Sequence, residues 1–265
     1  MKSKAIAIVV FDIDGVVRDV SNSYRRALAD TVERYTEGAY RPTQDDIDVL
    51  KSEGLWNNDW EGSQEMILRY FEQQGTPRSH VSINFDELVA FFQSRYRGTD
   101  PENWNGYISQ EPLLLEAPYL YQLSEANIPW GFFSGATRGS ATYVLERRLE
   151  LPSPVLVAME DAPGKPDPSG LFAAVKQLET QHGEALKPNL PVVYAGDTVA
   201  DMQTVVQAAE KFPDRKWIGI GVLPPHVQHE ADYADRYARR LMKAGAQEVL
   251  PNIQQLDAKR IRQII

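Results

Sequence analysis

The stretch that decides the fold is IAIVVFDIDGVVRDV, residues 6–20, where an apolar, β-branched run passes straight into Asp12 and Asp14. A short continuous apolar run of this kind suits a strand buried on both faces. Carboxylates are kept out of such places because desolvating them costs several kcal/mol unless a cation or several donors compensate. A positive partner is therefore expected beside them. Residues two apart on a strand point the same way, so both carboxylates can reach one reacting group. Gly15 suits a sharp turn and a close backbone approach to a ligand.

Working outward, similar runs recur at 129–133 (PWGFF), 154–158 (PVLVA), 191–195 (PVVYA) and 217–221 (WIGIG), with helix-patterned segments between them. This alternation predicts a parallel α/β sheet. The first interval is different, because about a hundred residues separate the first strand from the second. It contains SYRRALADTVERY, QEMILRYFEQQ and FDELVAFFQSRYR, each with apolar residues three and four apart, the helical period. The expected architecture is a Rossmann-like core of residues 1–17 and 109–265 with an inserted α-helical cap, 18–108.

The chain of 265 residues is 43% hydrophobic and 25% charged, the composition of an ordinary soluble globule. It has no cysteine, so disulfides and thiolate metal sites are excluded and any metal sits on oxygen or nitrogen. The formal charge of -9, without a basic stripe, argues against a nucleic-acid partner. The run 5–11 is too short for a membrane span and ends in charge. A cytoplasmic location without membrane attachment is the expectation.

In open parallel sheets, ligands sit at the carboxyl ends of the strands. Here the strands run into Asp12-Ile13-Asp14-Gly15, Ser134-Gly135, a loop from Glu160 to Pro168 holding Lys165, and Gly196-Asp197-Thr198-Val199-Ala200-Asp201. Several carboxylates beside one hydroxyl and one ammonium repel one another unless a divalent cation intervenes. Oxygen donors without His or Cys favour magnesium, completed by waters and a substrate phosphate. One carboxylate of the first pair would attack phosphorus and the other would handle protons.

These segments, in this order, resemble the four motifs of the haloacid dehalogenase superfamily of phosphohydrolases, in the branch of phosphoglycolate phosphatases and beta-phosphoglucomutases whose helical cap lies between the first two motifs. The resemblance implies that Asp12 is the nucleophile and a metal ligand. Asp14 is the general acid and base, its backbone carbonyl also on the metal. Ser134 grips the transferring phosphoryl group, and Lys165 balances Asp12 and the phosphate. Asp197 is a metal carboxylate, and Asp201 a metal-site neighbour that positions water or Lys165. The second motif departs from many relatives: it reads FFSGATRGS, so Gly135 offers a backbone amide where an Asn is usual. Retention of Asp14 favours phosphate chemistry over dehalogenation, since a halide leaving group needs no proton. The implied activity is a magnesium-dependent phosphatase for a small soluble phosphomonoester, acting through an aspartyl-phosphate, as a monomer or homodimer. The alternatives are a phosphomutase using the same motifs and a non-catalytic binding protein on the same fold.

Candidate specificity residues are Arg18, at the hinge into the cap, and Arg138, which either caps the next helix's entry or reaches the phosphate. In the cap, Trp56, Asn57, Asn58 and Trp60 form either a polar, aromatic substrate lining or, through the two Trp four apart, one inward helix face. For Arg18 the plain alternative is an exposed hinge residue. Asp167 reads as a helix cap and Glu160 and Asp161 as a solvated loop rim. None of the four histidines falls in a strand-end motif.

Overall fold

The computed structural model describes residues 5–56, 58–183 and 186–265. The chain divides into two compact units, Met1–Arg18 with Leu113–Ile265, and Asp19–Pro112. In the first, strands β1 (Ile8–Phe11), β2 (Trp130–Phe133), β3 (Leu156–Val157), β4 (Val192–Gly196), β5 (Trp217–Val222) and β6 (Ala246–Leu250) form a six-stranded sheet ordered β3-β2-β1-β4-β5-β6. Every neighbouring pair is parallel. The order runs outward one way from β1 and the other way from β4, so the switch point where loops diverge lies between these strands. The segments after β1 and β4 are those that carry Asp12 and Asp197.

The unit Asp19–Pro112 holds helices α1 (Tyr24–Tyr35), α2 (Gln44–Lys51), α3 (Asp59–Gln73) and α4 (Phe85–Tyr96). Its aromatic centre is Tyr24 of α1, edge-on to Phe92 and Tyr96 of α4 with ring centroids 5.0 and 4.5 Å away. The short acidic α2 was not legible as a helix from its apolar spacing; Thr43 and Asp46 start it as a reciprocal capping box, which satisfies two otherwise orphaned amides. The two ends of the unit are tied together: Asp19 N–H donates to Pro112 O at 2.8 Å, and Ser23 Oγ donates to Glu111 at 2.5 Å. Residues 109–112 therefore pack with the helices, and the chain re-enters the sheet unit at Leu113.

Around the sheet lie α5 (Ala117–Glu125), α6 (Arg138–Thr142), α7 (Ser169–His182), α8 (Val199–Lys211), α9 (Ala231–Ala244) and α10 (Ala258–Ile264). Strand alternation sorts β1 into two cores. Val9 and Phe11 pack with Leu120 and Leu123 of α5 and Ile261 of α10, while Ile8 and Val10 pack with Leu171, Ala174 and Val175 of α7 and Val205 of α8. That parity carries on past the strand: Ile13 joins the first core, and Asp12 falls on the α7 and α8 side. Among the described residues, no helix is long and apolar enough to cross a membrane.

Candidate active site

Asp12 takes its place as the first residue beyond β1, its backbone N–H donating to Ala195 O at 2.8 Å. Its Oδ1 accepts the Ile13 amide and lies 2.8 Å from Lys165 Nζ. Lys165 reaches it from the loop ahead of α7 and also donates to Asp201 Oδ1 at 2.6 Å. The ammonium lies 5.2 and 5.4 Å from the ring centres of Phe133 and Tyr194, whose faces favour a cation. Asp12, Lys165, Asp197 and Asp201 are all buried.

Asp201 is fixed from four directions. Oδ1 accepts Lys165 Nζ and the Tyr194 hydroxyl, the latter at 2.9 Å. Oδ2 accepts the Thr198 amide at 2.9 Å and its hydroxyl at 2.6 Å, while Asp201 N–H returns to Thr198 Oγ1, so the pair is also the capping box of α8. Four donors fill the roughly four lone-pair positions of a carboxylate. Asp201 thus holds Lys165, while it also stands beside the other two carboxylates of the cluster. One oxygen each of Asp12, Asp197 and Asp201 lies within 4.8 Å of the others, an all-oxygen donor set of the kind a hard divalent cation takes. Gly15 makes this gathering possible. It has φ +74°, and a Cβ there would stand 2.0 Å from Asp197 Oδ2, so any other residue would both strain the turn and displace Asp197.

Burial pushes the Asp12 carboxyl up to about 7; Lys165 pulls it down, and Asp201 and Asp14 push it further up. Burial also works to raise Asp201, but the charge and hydrogen bond of Lys165 and the donors of Thr198 outweigh it and hold it below the usual carboxylate range. For Lys165, burial acts to lower the pKa, and Asp12 and Asp201 together reverse the direction. Of the two carboxylates that share one ammonium, Asp201 is the one held ionised, while burial works against the charge on Asp12.

Asp14 is paired with a different cation. Its Oδ1 accepts Arg18 Nε at 2.6 Å and lies 2.5 Å from Nη2, an ion-pair contact. Arg18, expected either as an exposed hinge residue or as a substrate contact, is instead wholly buried. The chain folds back after Gly15, whose N–H donates to Arg18 O, and Arg18 also bridges to Leu113, which turns the side chain inward onto Asp14. Ser134, just after β2, is buried; its Oγ accepts the Ala136 amide at 3.1 Å. Arg138 opens α6, but Thr137 caps it. The Arg138 amide donates to Glu160 at 2.9 Å and its guanidinium pairs with Asp161, so both groups are spent on the loop after β3, and that loop rim is held rather than merely solvated.

In the other unit, Trp56 precedes α3 and Trp60 lies within it, so the two do not share a helix face. The Trp56 indole donates to Glu53 at 2.8 Å. Asn58 caps α3 by accepting the amides of Trp60 and Glu61, which commits its side-chain oxygen to the backbone. Asn57 lies outside the described residues. Sequence reasoning missed Tyr194. The signal was a tyrosine inside a strand read as buried on both faces, since a buried hydroxyl normally finds an acceptor.

Comparison with known proteins places this geometry. The family model described as haloacid dehalogenase-like hydrolase matches residues 6–209. A curated relative, imidazoleglycerol-phosphate dehydratase of Phytophthora nicotianae, is 28% identical over 225 residues, which cover 84% of this chain and 44% of that protein. The chain thus spans less than half the length of that relative. Among solved structures, a hydrolase from Pseudomonas syringae aligns over 99% of both chains with TM-score 0.63 and 18% identity. Phosphatase Tt82 from Thermococcus thioreducens aligns over 80% of this chain and 92% of its own, with TM-score 0.60 and 22% identity. A beta-phosphoglucomutase from Clostridium difficile aligns over 97% of this chain and 95% of its own, with TM-score 0.61 and 14% identity. These structural likenesses show a shared fold.

Proposed function

The chain belongs to the haloacid dehalogenase-like hydrolases, and from that premise we propose that it is a magnesium-dependent phosphatase acting on a small soluble phosphomonoester through an aspartyl-phosphate at Asp12. The observation that carries this reading is the buried bridge in which Lys165 lies 2.8 Å from Asp12 and 2.6 Å from Asp201.

An Asp12 oxygen attacks phosphorus, and the bond from phosphorus to the ester oxygen breaks as Asp14 gives that oxygen its proton. Water then attacks the acyl phosphate with Asp14 taking its proton, which releases phosphate and returns the Asp12 carboxylate. Lys165 and the Ser134-Gly135 loop meet the phosphoryl oxygens and are already in place before charge develops. A magnesium ion held through Asp12, Asp197 and the Asp14 backbone carbonyl would supply the positive charge that the acidic cluster and a phosphate dianion require. The dehydratase activity in the name of the Phytophthora relative is not carried over, because this chain matches 44% of that protein and its gathered residues are suited to phosphoryl transfer.

The test is release of inorganic phosphate from a panel of phosphorylated metabolites with magnesium. Wild type releases phosphate from at least one member, and Asp12→Asn lowers the rate by about a thousandfold or more. A wild type inert across the panel, or an Asp12→Asn variant of unaltered rate, overturns the reading. Return of the phosphoryl group to an isomeric sugar phosphate, dependent on a bisphosphate, would assign the mutase reaction.

A further inference from the structure

We propose that Arg18 is a positioning residue for phosphoryl transfer: its buried guanidinium grips one carboxyl oxygen of Asp14 and thereby fixes the other where it hands a proton to the leaving group. The inference rests on the phosphatase reading and deepens it, because Arg18 lies in none of the four motif positions and its guanidinium meets Asp14.

Three observations converge. Among the described residues Arg18 is the largest fully buried side chain, at 0% exposure, while the Asp14 side chain is 26% exposed. An arginine is seldom buried without a partner that holds it. Both contacts fall on the same oxygen, with Nε and Nη2 at 2.6 and 2.5 Å from Oδ1. Among the described residues no hydrogen bond or ion pair of the protein reaches Asp14 Oδ2, so this oxygen is the one left to carry and transfer a proton. Finally, the backbone beneath Arg18 is tied on both sides: Gly15 N–H donates to Arg18 O at 2.9 Å, Leu114 N–H to Val17 O at 2.8 Å, and Arg18 bridges to Leu113.

The physical need is plain. A partly exposed aspartate on a turn samples several rotamers, whereas proton transfer in the transition state requires hydrogen-bond reach and alignment. A planar guanidinium on a fixed backbone, donating through Nε with Nη2 beside the same oxygen, selects one rotamer. Lysine carries the charge but not the planar group, so it should replace Arg18 only in part.

The test separates this role from mere structural support through the leaving group. Wild type, Arg18→Met and Arg18→Lys are assayed with magnesium on a series of substituted phenyl phosphates, from p-nitrophenyl phosphate to phenyl phosphate. An acidic phenol departs with little help, while a weakly acidic one needs its oxygen protonated. In Arg18→Met the ratio of kcat/KM for phenyl over p-nitrophenyl phosphate should fall by at least about tenfold relative to wild type, with Arg18→Lys between. The ratio is independent of how much of a variant is folded, so partial unfolding does not mimic the effect. An unaltered ratio in Arg18→Met, with wild type active on the series, overturns the role of Arg18 and leaves the phosphatase reading intact. Wild type inert on the series and on the metabolite panel removes the phosphatase reading itself, and this inference with it.

Discussion

Asp12 and Asp14 stand two residues apart, yet burial gives them opposite meanings for stability. Asp14 answers a wholly buried Arg18, so Asp14→Asn removes a counter-charge from a desolvated guanidinium. Because Asp14 is partly exposed, we expect a loss of about 1–3 kcal/mol, seen as a melting temperature several degrees below wild type. Asp12 shares a single ammonium with Asp201 and is held well above its ordinary pKa, so Asp12→Asn should melt at or above wild type without metal. An Asp14→Asn variant that melts with wild type would show that the ion pair of Asp14 does not matter to the fold. The carboxylates were legible in the sequence because charge at the end of an apolar run is costly. The partner of Asp14 was not, because the inward turn of Arg18 depends on how the chain folds back after Gly15 and meets Leu113.

At the scale of elements, the apolar runs marked five of the six strands and the spacing of threes and fours marked α1, α3 and α4. The edge strand β6, AQEVL, carries polar residues on its exposed positions and gives no such run. Packing between elements reverses a propensity at Gly170 in α7. Alanine normally stabilises a helix relative to glycine by up to about 1 kcal/mol, but a Cβ at Gly170 would stand 2.1 Å from the Phe133 ring. Phe133 lies beside Lys165, so Gly170→Ala should push the ring or the helix outward. The expected result is a lower melting temperature together with reduced turnover; a variant as stable and active as wild type would mean that α7 has room to shift.

For the whole molecule, the acidic cluster couples folding to pH and to metal. The Asp12 carboxyl is raised to about 7 from an ordinary value of about 3.9. Below the ordinary value both folded and unfolded chains hold the proton; between there and about 7 only the folded chain does. The stability this provides is therefore present at low pH and lost as pH rises through that window. In EDTA, the difference in melting temperature between wild type and Asp12→Asn should widen from pH 5 to pH 8, to the disadvantage of wild type. Magnesium, which binds the folded carboxylates, should raise the wild-type melting temperature in a concentration-dependent way, more at pH 8 than at pH 5, and Asp12→Asn should lose most of that shift. A pH-independent difference in EDTA, or no magnesium shift at either pH, would contradict this coupling.

By itself the sequence determined the parallel α/β core, the helical insertion after the first strand, and the gathering of Asp12, Lys165, Asp197 and Asp201, because strand periodicity and the cost of buried charge are local properties that survive in a linear text. The motifs already pointed Lys165 at Asp12 and Asp201; the tertiary structure alone decided where the two arginines go. Lys165 goes to Asp12 and Asp201, Arg18 to Asp14, and Arg138 to Asp161. Such pairings depend on distances of a few ångströms between segments far apart in the chain or on the direction of a turn, and long flexible cations leave no periodic trace of where they will settle.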